Sequence, residues 1–172
     1  MALITTENRR SRRLRRWTMI TGAALTAALV PMTTAMAAPP SDSDLEVVRI
    51  DPDAAPPGGT TTVHAFVINQ GPEQTANRFT VTIDLPEGVT PEGPFYPENC
   101  EVLRNNRRVS CSWPAGLAPS KDQTAIIPIR LSTDVPVGTL TGGSVSVRSV
   151  DDKNKANDRR PFVITVVESE GA

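Results

Sequence analysis

The chain has 172 residues, in which 18 Lys and Arg stand against 19 Asp and Glu beside a single histidine. That near-neutral balance lacks the basic excess that general binding to nucleic acid or to an anionic membrane calls for. One histidine and two cysteines also leave little material for a four-ligand zinc site or for His-based catalysis.

The N-terminus reads as a targeting segment. Residues 1–16 hold six arginines and one glutamate, the apolar run WTMITGAALTAALV (17–30) follows, and TTAMAAPP supplies small residues after Pro31. A basic region, a short apolar core and Ala35-Met36-Ala37 are the parts of a secretory signal, with cleavage expected between Ala37 and Ala38. The apolar run falls short of the ~20 residues a membrane span needs. SRRLRR raises twin-arginine export, but Arg15 and Arg16 replace the apolar residues expected after the pair, so Sec export is favoured. No cysteine lies at the cleavage region and the chain stops in VVESEGA, so no membrane anchor is expected after cleavage. The expected product has 12 basic against 18 acidic residues, a formal charge of −6.

Beyond residue 37, fifteen prolines leave few windows for a helix interior. Residues 38–44, APPSDSD, read as a flexible leader to a domain over 45–168, with a tail at 169–172. The domain shows short runs at even spacing, separated by Pro, Gly and Asn. LEVVRI (45–50), TTTVHAFVIN (60–69) and NRFTVTIDL (77–85) come first. In the third run Phe79, Val81, Ile83 and Leu85 alternate with Thr80, Thr82 and Asp84, the pattern of a half-buried strand.

The stretch CEVLRNNRRVSC (100–111) contains both cysteines. Asn tolerates positive φ, so Asn105-Asn106 suit a two-residue hairpin turn. That turn sets Arg104 opposite Arg107, Leu103 opposite Arg108, Val102 opposite Val109, Glu101 opposite Ser110 and Cys100 opposite Cys111. Cys100, Val102, Val109 and Cys111 then share an apolar face. Apposed ladder positions lie within the reach of a disulfide. A metal half-site would need further ligands, and no Cys-x-x-Cys redox motif is present, so a structural Cys100–Cys111 staple is the reading.

TAIIPIRL (124–131), GGSVSVRSV (142–150) and PFVITVV (161–167) complete the set. Pro128 lacks a backbone donor, which predicts an edge or bulged strand. Seven or eight such strands predict an all-β, antiparallel sandwich of immunoglobulin-like type.

Candidate chemistry is sparse. His64, Phe66 and Ile68 share the face of their strand opposite Val63, Ala65 and Val67, and are candidates for an outer apolar contact patch. Phe95 and Tyr96 sit in a Pro-rich loop, as contact residues or as lids over the core. Arg104, Arg107 and Arg108 would give the hairpin a basic tip for an anionic wall polymer, or simply keep it soluble. The loop at 151–159 offers Asp151, Asp152, Asn154, Asn157 and Asp158, oxygens of the kind calcium takes, diluted by Lys153 and Lys155. Its alternative is a solvated turn bonded to its own backbone. Ser144 follows a glycine by two positions but precedes Ser146, so it does not meet the strand–turn nucleophile motif. No catalytic residue and no cofactor are expected.

Six short motifs occur in order: Asn69-Gln70-Gly71-Pro72, Leu85-Pro86-Glu87-Gly88-Val89, Cys100 with Val109-Ser110-Cys111, Leu117-Ala118-Pro119, Val135-Pro136-Val137-Gly138, and Asp151, Asn154, Asn157-Asp158. In them the chain from about 45 to 167 resembles the domain-of-unknown-function-eleven repeat of bacterial surface and secreted proteins. The resemblance implies an immunoglobulin-like sandwich without catalytic residues. Members of that family usually occur as tandem, anchored repeats, whereas a single unanchored copy is read here. The expected product is therefore a secreted, monomeric interaction or structural module at or near the bacterial cell surface. Its expected partner is an extracellular protein, with binding to an anionic or carbohydrate cell-wall polymer as the alternative.

Overall fold

Alternating apolar and polar side chains, punctuated by Pro and Gly, resolve into strands throughout the domain. The structure, a computed structural model, describes residues 39–103 and 105–169. The segment expected to be an export signal, Arg104 and residues 170–172 of the expected tail lie outside the described residues. Among the described residues nine strands form: β1 (Leu45–Val48), β2 (Thr60–Asn69), β3 (Phe79–Asp84), β4 (Val89–Pro91), β5 (Glu101–Leu103), β6 (Arg108–Trp113), β7 (Asp122–Leu131), β8 (Gly138–Ser149) and β9 (Arg159–Val166). They pair into two antiparallel sheets, β1-β2-β7-β4 and β5-β6-β3-β8-β9, the architecture of an immunoglobulin-like sandwich.

The inner faces meet in one core. Val63, Ala65 and Val67 of β2 and Ile127, Ile129 and Leu131 of β7 oppose Val81 and Ile83 of β3, Val147 of β8 and Phe162 and Ile164 of β9, all buried. Burying each large side chain contributes about 1.5–3 kcal/mol, which is what fixes the register of every strand. Phe79 of β3 stacks on Trp113 of β6, its ladder partner, at 5.6 Å between ring centres. On β8, a register shift between Leu140 and Gly143 brings Gly143 opposite Phe162, whose ring occupies the space that any β-carbon there would need.

Three expectations need correction. The described residues hold nine strands where seven or eight were expected, because the three-residue β4, ending in Pro91, is too short to show periodicity. β7, which carries Pro128, is neither an edge nor bulged: it lies between β2 and β4, in unbroken register with β2. Pro128 is tolerated because its backbone faces the β4 side, where its carbonyl accepts from Glu92 N at 2.8 Å and β4 has already ended at Pro91. Finally, residues 41–44 are not a free leader. Ser41 N donates to Asp151 at 3.1 Å, Asp42 N to Glu73 at 2.8 Å and Asp44 N to Asn69 at 3.2 Å, and Ser43 is buried beside Asp152.

Candidate functional site

The cysteine hairpin forms as its sequence predicts. Asn105 and Asn106 take φ of 53° and 63°, and the pairs Glu101–Ser110, Val102–Val109 and Leu103–Arg108 stand opposite each other. Cys100 and Cys111 are disulfide-bonded with their Cα atoms 4.1 Å apart. The apolar face is only half buried, however. Val109 and Cys111 enter the core, whereas Val102 is exposed with the rest of β5, because this edge strand overhangs the core margin.

Of the three arginines expected at the hairpin tip, Arg104 lies outside the described residues and the other two point to different partners. Arg108 lies along β6 and donates Nε to Asp84 of β3 at 2.5 Å, a bond that holds its guanidinium pKa up. Arg107 remains exposed, with Nη2 on the Leu85 carbonyl at 3.3 Å.

His64, Phe66 and Ile68 do share the outer face of the four-stranded sheet. His64 is exposed opposite Ile126, Phe66 is half-buried between Val48 and Thr124, and Ile68 is half-buried between Glu46 and Asp122. The exposed Val48 and Ile126 extend the apolar strip, and Tyr96, bridged to Ile126 through both backbones, continues it past the end of β4. Phe95 turns inward and packs on the core.

The Asp/Asn loop divides into two functions. Asp151 is wholly buried and clamps three segments: Oδ1 accepts from Ser41 N and Asn77 Nδ2, and Oδ2 accepts from Asn77 N at 2.7 Å. Burial pushes its pKa up, but the bonds from Asn77 and Ser41 outweigh it and hold the group below the ordinary carboxylate value. Asn154 and Asn157 donate to Asp44, tying the loop to the segment before β1. Asp152, buried with Asp158 beside it, is pushed up to about 7 by desolvation and by the neighbouring carboxyl. Lys155 stands 3.8 Å from Asp152 and 3.5 Å from Asp158. Among the described residues no three His, Cys, Asp or Glu side chains group as metal ligands.

The outer face of the five-stranded sheet carries chemistry that sequence reading missed. Ladder register lines its outward side chains into rows. One row is Ser112, Thr80 and Arg148; the next is Ser110, Thr82, Ser146 and Arg159; a third is Arg108, Asp84 and Ser144. At the Arg78 end a cavity of about 690 Å³ opens, lined in part by Arg78, Arg148, Lys155 and Arg159. These residues are as much as 81 positions apart in the chain and come from the position just before β3, from β8, from β9 and from the loop before β9. Their only sequence signal is that Thr80, Thr82, Ser110, Ser112 and Ser146 occupy the polar phase of their strands.

A scan against protein-family models and a search of the curated proteins found no match. Solved structures of the same fold include the third cohesin of ScaC from Acetivibrio cellulolyticus, in complex with the ScaB dockerin. It is 16% identical over 72% of this chain and 99% of that chain, with a TM-score of 0.51. The seventh ScaB type I cohesin from Pseudobacteroides cellulosolvens is 13% identical over 74% of this chain and 95% of that one, with a TM-score of 0.50. At such identities the likeness establishes the sandwich fold.

Proposed function

We propose that the protein is a secreted, non-enzymatic interaction module acting at or near the bacterial cell surface. The observation that carries this reading is the outer face of the five-stranded sheet, where two fixed rows of serine and threonine hydroxyls each end at an arginine, Arg148 in one and Arg159 in the other. Core packing has no use for hydroxyls on that side. An ordered array of half-exposed donors and acceptors on a disulfide-stapled frame is recognition chemistry. The disulfide also suits an oxidising, extracellular setting. The resemblance to surface-protein repeats and the sandwich fold shared with a dockerin-bound cohesin support the same reading. The alternative, a domain for an anionic or carbohydrate wall polymer, is favoured by the arginine-lined cavity at one end of this face.

Co-sedimentation of the purified chain with isolated cell walls at low and high salt tests the proposal. Pelleting is expected. Loss of pelleting with salt would point to the arginines, and salt resistance to the strip around Phe66 and Ile126. A protein that stays in the supernatant under both conditions would overturn the cell-surface reading.

A further inference from the structure

We propose that the cavity at the Arg78 end of the five-stranded sheet binds phosphate groups of a polyol-phosphate chain, which then runs across the hydroxyl rows. This rests on the reading of the protein as an interaction module and names a ligand class for it. Four cationic side chains, Arg78, Arg148, Lys155 and Arg159, share the lining with one carboxylate, that of Asp158. Lys155 lies 3.5 Å from that carboxylate, which leaves the three arginines to set the charge of the mouth. Arg78 and Arg148 are exposed, and among the described residues neither has a carboxylate within ion-pair distance. Arg159 reaches only the margin of one, 4.0 Å from Asp84. The fold therefore gains little from placing these like charges together, and among the described residues no carboxylate occupies the guanidinium donors of Arg78 and Arg148.

A guanidinium presents a flat fork of N–H donors that matches phosphate oxygens in pairs. Several forks converging on one cavity suit an anion with oxygens to spare, which favours phosphate over carboxylate. The hydroxyl rows argue for a chain and against a free ion. Arg148 faces Thr80, which faces Ser112, and Arg159 faces Ser146, which leads through Thr82 to Ser110. With strands roughly 4.8 Å apart, the second row spans about 14 Å from β9 to β6. A free phosphate would use only the cavity. A chain of phosphates linked by polyol units would place its charges among the arginines and its hydroxyls along the rows.

Titration calorimetry of the purified chain with poly(glycerol phosphate) tests this, with inorganic phosphate, polyglutamate and phosphatidylglycerol vesicles as the other arms. Poly(glycerol phosphate) is expected to bind with a salt-dependent affinity that exceeds all three. R78Q/R148Q should weaken it by roughly a hundredfold, about tenfold for each charge-assisted contact, without moving the melting temperature. T82A/S146A should weaken the polymer and leave inorganic phosphate unchanged. Equal affinity for polyglutamate would overturn the phosphate assignment, and equal affinity for the vesicles would reassign the source to a lipid surface. An unchanged affinity in folded R78Q/R148Q would overturn the site. Wall pelleting without polymer binding would sink this inference alone, whereas polymer binding without pelleting would sink the cell-surface reading alone.

Discussion

At the scale of single residues the fold depends on Asn69, a polar side chain whose every donor and acceptor is used. Asn69 is fully buried at the end of β2. Its Oδ1 accepts from Asp44 N at 3.2 Å and Gly71 N at 3.0 Å, and its Nδ2 donates to the carbonyls of Glu73 at 2.7 Å and Leu117 at 2.9 Å. Gly71 is required beside it, because a β-carbon would strike the backbone of residues 42–44. One side chain thus joins the segment before β1, the turn after β2 and the loop before β7. Asn69→Ala removes all four bonds and leaves several backbone groups short of partners in the interior. Each orphaned group costs ~1–3 kcal/mol, so a loss of about 3–5 kcal/mol is expected. Urea denaturation checks it: the midpoint should fall with an unchanged slope. A midpoint within error of wild type would show that the four bonds are dispensable.

At the scale of elements, the disulfide hairpin is where sequence reading was most complete. Its turn, register and staple all followed from two asparagines and two cysteines, because a hairpin is a local structure whose turn dictates its pairing. Closing the loop between Cys100 and Cys111, 11 positions apart, contributes about 3 kcal/mol on the chain-entropy account. Since β5 buries little, that contribution holds an edge strand more than the core. Reduction should therefore lower the melting temperature by several degrees while the far-ultraviolet spectrum stays that of a sheet protein, with β5 amides exchanging first. Exchange rising equally in β3 and β8 would show that the staple supports the whole sandwich. The strands β2, β3 and β9 were equally legible, since one face of each meets the core in strict alternation. The position of β7 was not. Proline's missing donor argues for an edge, but which side of the strand it faces is decided by tertiary pairing. The arginine cavity was also beyond reach, because Arg78, Arg148 and Arg159 become neighbours only through the order β3-β8-β9. The late Asp/Asn motif read as a candidate ligand loop, yet Asp151, Asn154 and Asn157 spend their side chains on Asn77, Ser41 and Asp44.

For the molecule as a whole, the carboxylates set opposing pH dependences that can be separated. Asp51, bonded to Arg49, and Asp151, bonded to Asn77 and Ser41, both have folded-state pKa values below the ordinary 3.8. Groups of that kind stabilise the fold above the unfolded value, and their contribution is lost as pH falls through the folded one. Asp152 has the opposite sign. Its folded pKa of about 7 exceeds 3.8 because it is buried against Asp158. The folded state therefore holds that proton more tightly than the unfolded chain does. Its stabilisation is complete below about 4 and disappears as pH rises to about 7, beyond which the charged pair is offset only in part by Lys155. A shift of this size is worth on the order of a few kcal/mol over that window. Stability should then be greatest near pH 4–5 and decline toward pH 8. Asp152→Asn keeps a neutral side chain at every pH, so it should flatten the decline and melt higher than wild type at pH 8. Calorimetric melts of both proteins across this range provide the measurement. A wild-type melting temperature that is level from pH 5 to pH 8, or an Asp152→Asn protein that declines in parallel with it, would show that the two carboxyls do not share a proton-linked contact.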